Sequence, residues 1–131
     1  KGINKTAFAK FDRLIVNDDV LSAYDFVKDL DVCVVPLKSG SGIRLKILEA
    51  MAVGKLVIST TVGAQGIDYI TSKHLLIADT PSQYAKVYNQ LKKGEIDWKT
   101  ILKNGRNLVE EHYSTAALAK KQLDDYSSLL K

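Results

Sequence analysis

The stretch from Pro36 to Gly54 constrains this chain more than any other. The apolar run Val32 to Val35 leads into it, Lys38-Ser39-Gly40-Ser41-Gly42 interrupts it, and apolar residues at helical spacing follow until Gly54. This reads as a strand, a flexible loop and a helix from Ile43 to Val53. Gly40 and Gly42 lack Cβ, so the loop can take positive φ and let another group approach its backbone closely. The helix then opens with N–H groups that have no intrahelical partner, at the positive end of its dipole, which is a natural seat for a phosphate. Arg44, expected in the first turn, adds a planar fork of donors, and Lys46 adds a mobile point charge. Basic side chains at that end oppose the dipole, so they point to a bound anion rather than to helix stability.

On a wheel of about 100° per residue, Lys46, Glu49 and Val53 share one narrow face. Ile43, Ile47, Leu48, Met51 and Ala52 spread over most of the rest, so the helix is expected to be buried on more than one side. Glu49 lies three residues after Lys46, and an i,i+3 ion pair of about 0.2–0.5 kcal/mol is one use for it.

The remaining chain repeats the alternation. Thr6 to Phe11 suits a short helical turn, and Arg13 to Asn17 a strand. From Val20, the residues Leu21, Tyr24, Val27 and Leu30 recur at helical spacing, with Asp18 or Asp19 as N-cap. Asp31 to Val35 is apolar almost throughout, as a strand covered on both faces should be. Lys55 to Thr60 is rich in β-branched residues. A loop from Thr61 to Thr71 with Gly63 and Gly66 precedes a short strand, His74 to Ala78. Thr80, Pro81 and Gln83 have the spacing of a capping box with proline at the first helical position, opening a helix through Tyr84, Val87, Tyr88 and Leu91 that ends at Gly94. A further helix from Asp97 carries Trp98, Ile101, Leu102 and Leu108, with Gly105 as the point where it could break. Ser114 or Thr115 caps a last helix whose stripe of Ala116, Ala119, Leu123, Tyr126 and Leu130 is expected to pack on the sheet. Strands alternating with helices predict an α/β fold, a doubly wound parallel sheet with helices on both faces. In such sheets ligands sit beyond the carboxyl ends of the strands, where the Lys38–Gly42 loop falls.

At 131 residues the chain is read as one domain, able to bury about two-thirds of its unfolded surface. The net charge of +4 suits an anionic ligand or an anionic membrane face and is too diffuse for nucleic acid. Cys33 alone can form no internal disulfide, which favours a reducing, cytoplasmic setting, and its place in an apolar strand reads as a small buried hydrophobe. No apolar run approaches the roughly 20 residues needed to span a bilayer. No acidic or histidine cluster shows metal-ligand spacing, and His74, alone at a strand start, reads as structural. The chain opens at Lys1-Gly2-Ile3-Asn4 without a methionine and is read as an excised piece.

The run Gly40-Ser41-Gly42-Ile43-Arg44-Leu45-Lys46-Ile47-Leu48-Glu49-Ala50-Met51-Ala52-Val53-Gly54-Lys55, with Val57-Ile58-Ser59-Thr60-Thr61 and Gly63-Ala64-Gln65-Gly66-Ile67 behind it, resembles the nucleotide-sugar-binding half of GT-B glycosyltransferases of the group 1, GT4-like family. The match runs from about Arg13 to Tyr113. It implies a Rossmann-like C-terminal half whose first strand lies upstream of this chain, as does the N-terminal acceptor domain. Glu49 matches the second glutamate of the family's E-x7-E motif, which accepts from the donor ribose. The first would fall on Ser41, so that carboxylate is replaced here. Gly42 and Ile43 match positions whose amides face the diphosphate, with Gly40, Ser41, Arg44 and Lys46 around them.

The resemblance implies transfer of a sugar from a nucleotide diphosphate sugar to a glycan, lipid or other small acceptor; it favours retention of the anomeric configuration and leaves inversion open. No separate cofactor and no metal are expected, the isolated piece is expected to be inactive, and peripheral contact with the cytoplasmic face of a membrane is compatible with the charge. The last helix would cross back to the N-terminal domain. Two other readings stand beside it: a non-catalytic nucleotide- or phosphate-binding module, and a flavodoxin-like interaction domain, which leaves the Gly-Ser-Gly loop, Arg44 and Lys46 without a role.

Overall fold

A computed structural model of the chain describes residues 5–8, 10–17 and 19–129. After a 3-10 turn at Lys5–Phe8 come α1 (Ala23–Lys28), β1 (Val32–Val35), α2 (Leu45–Ala52), β2 (Leu56–Ser59), β3 (Leu76–Ile77), α3 (Pro81–Lys92), α4 (Trp98–His112) and α5 (Thr115–Leu129). The three strands are parallel in the order β1-β2-β3, with Val32 opposite Leu56 and Ile58 opposite Leu76. Every residue of β2 is buried, and its successive side chains point to opposite faces. Val57 joins Val27 of α1, Ile47 and Met51 of α2 and Leu108 of α4 in one apolar cluster. Leu56 and Ile58 join Ile101 in a second, against which Tyr84, Val87 and Leu91 of α3 pack. Helices therefore cover both faces, and the doubly wound α/β expectation holds.

The helix starts follow cap chemistry closely. Thr80 Oγ1 accepts from Gln83 N–H (3.3 Å) while Gln83 Oε1 accepts from Thr80 N–H (3.0 Å), the reciprocal capping box expected from the sequence. Ser114 Oγ accepts from Ala117 N–H at 3.2 Å, so Ser114 is the cap of α5.

Several expectations are corrected. Arg13–Asn17 forms no strand: it has no ladder partner among the described residues, and Ile15 is 84% exposed. The α1 cap is Ser22, whose Oγ accepts from Asp25 N–H, rather than Asp19. Asp18, the other candidate, lies outside the described residues, as do Lys1 to Asn4. Val20 and Leu21 precede that helix, and Leu21 is 99% exposed, so helical spacing there did not signal a buried face. Helix α4 runs through Gly105 unbroken because the glycine lies at a close approach: a Cβ there would stand 2.7 Å from the His74 carbonyl oxygen. The α5 stripe does not pack on the sheet. Ala116 and Ala119 are exposed, Leu123 and Tyr126 are 67% and 66% exposed, and α5 touches α4. Leu130 lies outside the described residues.

Candidate functional site

The carboxyl ends of the three parallel strands deliver three loops to one edge of the sheet: 36–44 after β1, 60–70 after β2 and 78–80 after β3. The first carries the Gly-Ser-Gly sequence. Gly40 and Gly42 both have positive φ, 130° and 79°, as their position before a helix suggested. Helix α2 begins two residues later than expected, so Arg44 is its N-cap and not part of its first turn, and Ile43 lies before the helix. Arg44 makes no side-chain cap bond, since a guanidinium has no acceptor to offer. Among the described α-helices, α1, α3, α4 and α5 each begin with a hydroxyl or carboxylate accepting from the first turn. The start of α2 alone lacks one.

Arg44 instead folds back over the loop. Its Nη1 donates to the Ser41 carbonyl oxygen, and a Cβ on Gly40 would overlap its Nη2. Its Nε is buried without a hydrogen-bond partner. Lys46 and Glu49 are exposed on α2, and the ion pair that would have linked them is not formed. Lys46 lies close enough to Cys33 to offset part of the rise that burial imposes on the thiol's pKa. Below this polar side, Ile47, Leu48, Ala50 and Met51 are buried; Ala52 is exposed, so the helix is covered over a narrower arc than its composition suggested. Gly40, Ser41, Gly42, Ile43, Lys46 and Glu49 thus form an open shelf, with Arg44 half-buried across it.

The second loop braces the first. Thr60, buried at the end of β2, donates through Oγ1 to the Leu37 carbonyl oxygen (2.5 Å) and accepts there from Gly63 N–H (2.9 Å). Gly66, at φ 84°, comes against Ile43: a Cβ on it would stand 3.0 Å from Ile43 Cγ1 and 3.8 Å from Ile43 N. From the third loop, Asp79 takes hydrogen bonds from Thr61 N–H (2.7 Å) and Thr61 Oγ1 (2.8 Å). Thr60, Thr61 and Asp79 were not singled out in the sequence. The available signal was a hydroxyl pair directly after the central strand and a carboxylate directly before a capping box.

The His74 Nδ1 accepts from Ile70 N–H at 3.0 Å, and desolvation lowers its pKa below 6.5. Among the described residues no group of three or more His, Cys, Asp or Glu could hold a metal ion, and no helix is long and apolar enough to cross a membrane. A cavity of about 420 Å³ lies elsewhere, between α3, α4 and β3, lined by Ser72, Gln90 and Asp97 among others.

A parallel sheet covered by helices on both faces, with a glycine loop and an uncapped helix start at its carboxyl edge, defines the doubly wound α/β class. Comparison with known proteins narrows the class. The family model of glycosyl transferases group 1 matches residues 4–93, and the chain belongs to that family. It is 30% identical over 80 residues to an uncharacterized 44.6 kDa protein in the cps region of Klebsiella pneumoniae, a match covering 61% of this chain and 21% of that protein. The fold is similar to the crystal structure of the C-terminal domain of a glycosyl transferase group 1 family protein, LpcC, from Francisella tularensis, with TM-score 0.62 and 23% identity over 78% of this chain and 53% of that one. The chain thus spans about a fifth of its curated relative and about half of its structural one.

Proposed function

We propose that this chain is the donor-binding part of a glycosyltransferase that moves a sugar from a nucleotide diphosphate sugar to an acceptor held mainly by a further, N-terminal domain. The observation that carries the reading is the uncapped start of α2, beside a loop held at positive φ by Gly40 and Gly42, on the carboxyl edge of the sheet. In this assignment the Gly42 and Ile43 amides and the free first-turn N–H groups of α2 face the diphosphate. Arg44 turns from the Ser41 carbonyl to the phosphate oxygens, Lys46 adds charge, and Glu49 accepts from the ribose hydroxyls. When the bond between sugar and phosphate breaks, negative charge grows on the departing diphosphate. Donors and cations aimed there stabilise the transition state more than the ground state. A second domain closing over the donor excludes water, so the chain alone binds a nucleoside diphosphate without transferring sugar.

The test compares Arg44→Ala and Lys46→Ala in calorimetric titrations with uridine, guanosine and adenosine diphosphates and with the matching nucleosides. Each variant is expected to lose on the order of 1–3 kcal/mol of diphosphate affinity with the nucleoside almost unchanged, and the gap narrows at high salt. Thermal melts of Lys46→Ala stay flat or rise, because a first-turn cation opposes the dipole by up to about 1 kcal/mol. Variants that bind diphosphate as tightly as the parent refute the assignment.

A further inference from the structure

We infer that Thr60 is a positioning residue for the phosphate shelf, and that its hydroxyl locks the Gly-Ser-Gly loop against the loop that follows β2. The inference rests on the reading of the Gly40–Arg44 loop as a diphosphate site. Thr60 is 5% exposed, and Oγ1 uses both its donor and its acceptor capacity on backbone. It donates to the Leu37 carbonyl oxygen, three residues before Gly40, and accepts from Gly63 N–H, three residues before Gly66. Gly66 in turn lies against Ile43, whose amide is assigned to the diphosphate. One hydroxyl therefore sits between the two ends of a closed circuit: Leu37, the glycine loop, Ile43, Gly66, Gly63 and back to Thr60.

The chemistry of the position is narrow. Only a group that donates and accepts at once, on a short side chain, can serve Leu37 and Gly63 together. Ser59, its neighbour, cannot take over: its Oγ already donates within the buried edge, near the Val35 and Thr60 carbonyl oxygens. Ala64 and Ile67 anchor the second loop in the core independently. The loop can therefore stay docked without Thr60, whereas its link to Leu37 cannot. Loss of the hydroxyl should release the first loop from the second and let the Ile43 and Gly42 amides turn away from a common target. Preorganised donors are the ones that matter at a site where charge develops.

The experiment uses Thr60→Val, which keeps the shape and removes the hydroxyl, and the pair Thr60→Ser and Thr60→Cys, which differ in hydrogen-bonding strength at nearly the same size. Asp97→Ala, which removes the α4 cap, is a destabilised reference outside both loops. Backbone 15N order parameters at Gly42 and Ile43, read by NMR without ligand, are expected to fall from rigid values of about 0.85 to below about 0.6 in Thr60→Val and Thr60→Cys, and to match the parent in Thr60→Ser and in Asp97→Ala. Diphosphate affinity is expected to fall about five- to tenfold in the first two variants with nucleoside affinity unchanged. If Thr60→Val does not fold, the Ser and Cys pair carries the same comparison. Unchanged order parameters at Gly42 and Ile43 in Thr60→Cys overturn the inference whatever the parent binds. A parent that binds no diphosphate while these amides still loosen overturns the site assignment and leaves the positioning link standing.

Discussion

Gly105→Ala sets two well-calibrated effects against each other. In the interior of a 15-residue helix, replacing glycine by alanine is worth about 0.8–1.0 kcal/mol of added stability where the site is open. Here the new methyl would stand 2.7 Å from the His74 carbonyl oxygen, about 0.6 Å inside the roughly 3.3 Å at which a carbon normally meets such an oxygen. The Met51 Cε at 3.3 Å is the end of a flexible side chain and can move. The carbonyl cannot, because it belongs to the turn closed by Lys73 and His74 N–H on the Ile70 carbonyl and leads into buried Leu75. Overpacking of this kind typically costs about 1–3 kcal/mol, so the expected net change is a loss of about 1 kcal/mol, read as a lower urea midpoint at unchanged slope. A variant stabilised by about 1 kcal/mol would show that α4 does not press on the His74 turn, and would remove the reason given for a glycine inside an unbroken helix.

Two further outcomes follow from groups away from the shelf. Burial holds the His74 pKa below 6.5, so between its folded value and 6.5 the unfolded chain binds more protons; stability is full above about pH 6.5 and falls as pH drops, levelling off below the folded value. Urea midpoints from about pH 7.5 to about pH 5 should show this fall, and His74→Gln should lose the part that belongs to His74. The Tyr84 hydroxyl is buried without a partner, and burial first, then Asp79, raises its pKa. Tyr84→Phe should accordingly leave the thermal midpoint unchanged or raise stability by up to about 1 kcal/mol; a clear loss would mean that the hydroxyl has a partner.

The elements that declared themselves in sequence are those whose signal is local. The Thr80, Pro81 and Gln83 box needs only its own four-residue spacing, and it forms as written. Val32–Val35 and Leu56–Ser59 are apolar runs that pair with each other, so tertiary context and composition agree. Arg13–Asn17 has a strand's composition but no strand beside it, and a ladder is made by partners rather than by propensity. Leu21 and the α5 stripe fail for a related reason: spacing identifies a face and does not say what covers it. At the shelf, the glycine loop and α2 were legible because they are contiguous. Thr60, Thr61 and Asp79 were not, since each acts on a residue at least 18 positions away or on one whose own role is set by the fold.

The start of α2 gives up stability that the other described helix starts keep. A side-chain cap is worth about 1 kcal/mol, and a cation in the first turn opposes the dipole by about 0.3–1 kcal/mol. With Arg44 as its N-cap and Lys46 in its first turn, α2 gives up both, while the other described α-helices have their caps. An eight-residue helix is too short to stand on propensity. What holds it is the underside: Ile47, Ala50 and Met51 are fully buried, and Leu48 nearly so. That burial is anchored in the same cluster as Val35 and Val57, the strands whose ends deliver the two loops. The first turn is therefore fixed from below, and above it the Ile47 N–H is taken by the Arg44 carbonyl oxygen at 2.9 Å while no side chain caps the turn, with Gly66 and Thr60 setting the height of the loop beside it. A bound diphosphate would supply the acceptors that Arg44 cannot, and the cations that weaken the empty helix would then strengthen the occupied one.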